Sequence, residues 1–225
     1  SAVGWSHTYS ERMLNDANNN PYLLSAQGHY EGFKRIGTTG RHYRALNSPD
    51  RFVDTFDSGT VRFRLRDGSG EVREYGTVGL LLNIRHPDNP ANDVEMVYGF
   101  ELLNNEVPRL MGVVDKNGRM FAFDYDYSKS LITRIIRPDG AVVNYEYDAD
   151  NNLTAVDYGN NQRRLYHYHE TGLADPLFIN HLTGITSETG QRFGTFGYDA
   201  YGRVTSSKLH VGSGGFVAGT TVNYT

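Results

Sequence analysis

The chain has 225 residues, a formal net charge of -4, 16 tyrosines, 11 phenylalanines, 25 glycines and no cysteine. That balance excludes disulfides and thiolate metal sites, and leaves no long-range electrostatic pull toward nucleic acid or anionic lipid. No apolar run approaches the roughly 18 residues of a membrane span, and Ser1-Ala2-Val3-Gly4 shows no signal-peptide pattern.

Ser10-Glu11-Arg12-Met13-Leu14 could begin a helix, but the stretch from Asn15 to Pro21 ends it within a turn or so. Further on, Val61, Phe63 and Leu65 alternate with Arg62, Arg64 and Arg66, which reads as a two-faced strand. Asp67-Gly68-Ser69-Gly70 is a turn, and Glu71-Val72-Arg73-Glu74-Tyr75 returns. The alternating segment Val94 to Phe100 follows, and Asn104-Asn105 turns it back.

From there the sequence repeats. Gly118 precedes Tyr125-Asp126 by seven residues, and Gly140 precedes Tyr147-Asp148 by the same step. A third copy ends at Tyr168-His169, and a fourth runs from Gly190 to Tyr198-Asp199 with one extra residue. The tyrosines are 22, 21 and 30 residues apart, so the long step holds an insertion, placed at Gly172 to Asn180. Six residues past the tyrosine stand Leu131, Leu153 and Val204, with Ala174 in the third copy. Phe121, Phe123 and Tyr125 alternate with Ala122 and Asp124, while Asn117-Gly118 and Pro138-Asp139-Gly140 supply tight-turn chemistry. Each unit therefore reads as strand, turn, strand, turn. A lone hairpin cannot bury its apolar face, whereas stacked hairpins can. The expected fold is all-β: stacked antiparallel β-hairpins forming a curved, twisted β-strip. It divides into a lead-in of short strands (1–57), degenerate early hairpins (58–114) and the repeats (115–225).

The spacing Gly-x(6)-Tyr-x-Asp or close variants, followed by an aliphatic residue, resembles the tyrosine-aspartate (YD) or Rhs repeat family. The opening Gly4-Trp5-Ser6-His7-Thr8-Tyr9-Ser10-Glu11-Arg12-Met13 resembles the lead-in that precedes such repeats in bacterial members, with Met13 in place of the usual Leu. The resemblance implies structural roles for Gly118, Tyr125, Asp126, Pro138, Gly140, Tyr147, Asp148, Tyr168, Gly190, Tyr198 and Asp199. It implies lead-in roles for Gly4, Trp5, His7, Tyr9 and Arg12. It further implies a segment of a secreted or cell-surface bacterial shell, enclosing or delivering a C-terminal toxin that lies beyond Thr225. The partners it implies are the remainder of the same chain and an external glycan or secretion-apparatus component, with no nucleic acid. The self-cleavage motif of such toxins is not found, and Asp175-Pro176 is followed by Leu177-Phe178, which does not fit it.

Candidate chemistry is sparse, and the expectation is no enzyme, no cofactor and no metal. His167 and His169 should share a strand face, but no third zinc ligand follows at a suitable spacing. Asp148 to Asn152 resembles a calcium loop but has Leu153 where Gly is needed and Gly159 where Glu is needed, so a hairpin turn explains it better. The carboxylates Asp124, Asp126, Asp148 and Asp199 recur once per unit, which points to turn capping rather than acid-base work. The row Arg62, Arg64, Arg66 could meet an anionic glycan or a partner, with a solvated strand face as the default. Cut edges of the strip predict edge-strand self-association, or an end blunted by a Gly212 to Gly219 loop.

Overall fold

The computed structural model describes residues 7–38, 40–99, 108–126, 128–211 and 215–217. The strands are β1 (Arg12–Asn15), β2 (Pro21–Leu24), β3 (Tyr30–Arg35), β4 (His42–Ala45), β5 (Phe52–Thr55), β6 (Val61–Arg66), β7 (Val72–Gly76), β8 (Leu81–Arg85), β9 (Val94–Gly99) and β10 (Arg109–Asp115). They continue with β11 (Met120–Asp126), β12 (Leu131–Ile136), β13 (Val142–Tyr147), β14 (Leu153–Asp157), β15 (Arg163–Tyr168), β16 (Leu182–Thr186), β17 (Arg192–Tyr198), β18 (Val204–Val211) and β19 (Gly215–Val217). The only helical elements among the described residues are the 3-10 turns Thr8–Ser10 and Pro90–Asn92. The all-β expectation holds. No helix among the described residues is long and apolar enough to cross a membrane.

No lasting helix forms from Ser10, in line with the sequence: Arg12–Asn15 is strand β1, where Met13 and Leu14 find cross-strand partners in Leu23 and Tyr22. Two local expectations need correction. In the third repeat the position six past the tyrosine is taken by Leu182 rather than Ala174, since Leu182 pairs with Tyr168. Gly215–Val217, expected in a loop, pairs with β18 as strand β19. Gly4, Trp5 and the Asn104-Asn105 turn lie outside the described residues.

The chain divides into two compact units, with the boundary inside β11. In the unit Ser6–Ala122, each strand from β1 to β10 pairs antiparallel with the next. One face of this meander is apolar: Phe33, Tyr43, Val53, Leu65, Phe63 and Tyr75 are each at most 6% exposed. The meander also meets itself, because Arg12 bridges Leu80 and the Met13 amide donates to the Gly79 carbonyl at 3.0 Å. Gly79 is required at that contact: its φ is +78°, and an added Cβ would lie 2.4 Å from the Met13 carbonyl oxygen.

In the other unit, residues 123–225, β12 to β19 form a second antiparallel meander in chain order. Its core residues Leu131, Leu153, Ala155 and Val156 are each at most 5% exposed. The extra residue of the fourth repeat is absorbed as a β-bulge at Phe193, where Ile185 opposes Gly194 but Thr186 opposes Arg192.

Candidate functional site

The repeat residues converge on one recurring junction. Just before the tyrosine, the ladder shifts register: Glu146 opposes Ala155 but Tyr147 opposes Leu153, so Thr154 bulges. The same shift occurs at Tyr168, with Thr183 bulged, and at Tyr198, with Thr205 bulged. A bulge disrupts the backbone ladder locally. The tyrosine hydroxyl of one hairpin meets a carbonyl of the preceding one, beside the bulge itself for Tyr168 and Tyr198. Tyr147 donates to the Ile132 carbonyl at 2.8 Å, Tyr168 to Leu153 at 2.9 Å and Tyr198 to Leu182 at 2.8 Å. Burial of the half-buried Tyr147 ring pushes its hydroxyl up to about 12, and burial raises Tyr198 as well, so both stay protonated donors.

The aspartate that follows builds the turn. The Asp148 carboxylate accepts the Asp150 and Asn152 amides, both at 2.9 Å, and Asp199 accepts the Tyr201 and Arg203 amides at the same distance. Asp126 accepts the Ser128 hydroxyl and amide, bonds that hold its carboxyl below the usual range. Asp124, two residues before Asp126 on β11, caps no turn and pairs instead with Arg134, whose Nε lies at 2.7 Å. The glycines opening each unit adopt positive φ, +76° at Gly118, +83° at Gly140 and +77° at Gly190, and Pro138 lies in the turn closed by the Gly140 amide on Arg137. In the lead-in, the His7 carbonyl receives the Ser10 amide and hydroxyl, Tyr9 lies within that 3-10 turn, and Arg12 opens β1.

The third repeat departs from this scheme at His169, which replaces the aspartate. Its amide reaches the His181 carbonyl at 3.0 Å, so a long insertion stands where five-residue turns stand elsewhere. His167 and His169 do not act together. His167 Nε2 contacts the Thr186 hydroxyl at 2.8 Å, while His169 leaves the strand at φ +38° and faces the Ile179 carbonyl. No group of three potential metal-ligating side chains gathers among the described residues. The insertion is locked by Glu170, whose carboxylate takes a two-pronged Arg192 pair at 2.9 and 2.6 Å and the Thr183 hydroxyl at 2.7 Å. Those Arg192 bonds, chiefly, hold the Glu170 carboxyl down at about 2.

Sequence reasoning missed two residues of the N-terminal unit. Tyr75 is a further repeat tyrosine: it follows a bulge at Leu82 and opposes Leu81, six residues on, although Gly76 replaces the aspartate. The step to Leu81 was the available signal. Glu11 is buried at 5% exposure and accepts the Tyr75 hydroxyl, a contact no local pattern encodes.

The outward face of this unit carries charge. His42, Asp54, Arg64, Glu74 and Asn83 form one cross-strand row from β4 to β8. His42 Nδ1 lies 2.5 Å from Asp54, Arg66 also pairs with Asp54, and Arg64 reaches Glu74 at 2.8 Å. Arg62 turns to the Phe56 carbonyl and Asp57. The arginine row is thus partnered inside the protein.

The fold and these junctions define an all-β hairpin-repeat protein. No protein-family model matches the chain, and no curated protein does. Among solved structures, it overlaps the Photorhabdus luminescens Tc holotoxin pore with a TM-score of 0.41 at 14% identity, covering 88% of this chain and 11% of that one. It overlaps a TcdB2-TccC3 crystal structure with a TM-score of 0.38 at 11% identity, covering 89% and 11%. A porin-like protein from Bacteroides uniformis gives a TM-score of 0.34 at 12% identity, covering 97% and 99%. The chain thus spans 11% of the length of the toxin chains it matches. At these scores the likeness carries no argument, and the fold rests on the strands and junctions above.

Proposed function

We propose that this chain is a non-catalytic structural segment of an Rhs-type shell, one that walls in or delivers a toxin encoded elsewhere in a longer secreted or surface protein. The observation that carries this reading is the junction repeated at Tyr147, Tyr168 and Tyr198, where each hairpin hydrogen-bonds to its neighbour through the same side chain. A device used once per repeat serves propagation of a wall rather than a single reaction centre. The recurring carboxylates support the same reading, since Asp148 and Asp199 are occupied by their own turn amides.

Limited proteolysis of the intact gene product tests this. The wall reading predicts that a toxin region resists protease while the shell is intact and is digested once the shell is denatured. Equal digestion in both states contradicts it, as does turnover of glycan or nucleic-acid substrates by this segment alone.

A further inference from the structure

The hairpin of β2 and β3 turns two tyrosine rings toward each other. Its register sets Tyr22 opposite Gly32 and Leu24 opposite Tyr30, so the two tyrosines stand on one face as a diagonal pair. Gly32 has no side chain to keep them apart: a Cβ placed there would lie 3.5 Å from Cε1 and from the hydroxyl of Tyr30. The Tyr30 ring leans over the glycine to Tyr22, and the two ring centroids are 4.8 Å apart at an interplanar angle of 35°. That is near the short end of the separations that aromatic pairs adopt. The turn fixes the strands beneath them, with the Gly28 amide on the Ser25 carbonyl at 2.9 Å, the Ser25 amide on the His29 carbonyl at 2.8 Å and the His29 amide on the Ser25 hydroxyl at 3.0 Å.

Both rings are within reach of an external reagent. Tyr30 is 61% exposed and Tyr22 is half-buried. Neither hydroxyl bonds to a protein acceptor among the described residues, whereas Tyr147, Tyr168 and Tyr198 commit theirs to backbone carbonyls. A phenol that loses an electron must also release its proton. A hydroxyl open to water does so readily, while one held on a carbonyl faces an acceptor that is no base. Tyr43 and Tyr75 are at most 6% exposed and closed to a large oxidant. The chain has no cysteine, so a disulfide is not available to staple this hairpin.

We propose that Tyr22 and Tyr30 form an oxidative modification site, at which a haem peroxidase and hydrogen peroxide close a dityrosine cross-link across the β2–β3 hairpin. The peroxidase takes one electron and one proton from each phenol. The two phenoxyl radicals join through ring carbons ortho to their oxygens, and the hydrogens on those carbons move to the oxygens as the rings regain aromaticity. One hydrogen peroxide is reduced to two waters, and the protein loses two hydrogens in all. The link is intramolecular because the partner ring is already in contact. A radical on Tyr201, 80% exposed and covered by Arg203 rather than by a second tyrosine, has to meet another molecule. The link closes a short loop, so it adds little to equilibrium stability. It fixes the hairpin register instead, which a slip of one residue would invert. The inference does not depend on the shell reading.

Treatment of the dilute chain with a haem peroxidase and hydrogen peroxide tests it, read by dityrosine fluorescence, intact mass and peptide mapping. The expected product is a monomer lighter by two hydrogens, with the loss in the tryptic peptide Met13 to Lys34. Chymotryptic cleavage at Leu23-Leu24 should leave the two halves of that peptide joined. Tyr22→Phe and Tyr30→Phe should each abolish this product, while Tyr201→Phe leaves its yield unchanged. Far-ultraviolet circular dichroism shows that the variants are folded, and the peptide map of the wild-type chain does not depend on them. Cross-linked dimers without a cross-linked monomer, a link mapped to other tyrosines, or undiminished yield in either Phe variant of the pair would each overturn the proposal.

Discussion

The Tyr75 hydroxyl donates to Glu11 Oε1 at 2.6 Å, joining residues 64 positions apart. Arg73 holds the other carboxylate oxygen at 2.8 Å. Tyr75 is fully buried, and burial together with the Glu11 charge keeps its hydroxyl pKa well above the ordinary value, so the donor is never lost near neutral pH. The repeat tyrosine that elsewhere satisfies a neighbouring carbonyl here anchors the first strand of its unit.

Removing one partner of such a buried pair is costly. Glu11→Ala should lower unfolding free energy by about 3 kcal/mol, because it orphans the Tyr75 hydroxyl and strips Arg73 of one of two carboxylates. Tyr75→Phe should cost less, about 1 to 2 kcal/mol, since it leaves the Glu11–Arg73 pair in place. Urea unfolding measures both, and losses below about 0.5 kcal/mol would show that the contact does not anchor β1.

The recurring junctions predict uniformity. Tyr147→Phe, Tyr168→Phe and Tyr198→Phe each delete one hydroxyl-to-carbonyl bond and should each cost about 1 kcal/mol. Unfolding monitored for the three variants checks this. A severalfold spread, or one variant without effect, would mean the three junctions are not equivalent.

Acid should loosen the insertion. The Glu170 carboxyl is held at about 2 by Arg192, below its unfolded value of 4.5, so its stabilisation is complete above that unfolded value. It is lost as pH falls from there toward 2. The side chain is 35% exposed, so solvent screening limits the effect to about 1 kcal/mol. Glu170→Gln should flatten that part of the pH-stability curve. Gly184→Ala should mimic it at neutral pH, because the new Cβ would overlap the Arg192 guanidinium. Unchanged acid sensitivity in Glu170→Gln would contradict the assignment.

Much of the fold was legible because two signals are local. Alternation gave strands such as Val61–Arg66, and Asn117-Gly118 or Asp139-Gly140 gave the turns. The Tyr-Asp spacing gave the units, but not what the hydroxyl does, since its acceptor sits on another strand. The stretch at Ser10 carried helix-compatible residues whose fate was decided by pairing with β2, a contact some ten residues away that periodicity does not show. Ala174 satisfied the six-residue step by count, yet the His169–His181 bond lets the chain leave and re-enter the ladder, so Leu182 takes the place. The Tyr22–Tyr30 stack needed the register of β2 and β3 before the two rings could be seen to share a face.

The proposed shell requires these hairpins to form a wall. Single-particle electron microscopy of the intact gene product tests it most directly. A hollow body whose wall continues the tyrosine-linked hairpins, with separate density inside, is the predicted result; an open solenoid, or a solid body with no enclosed chain, would contradict it.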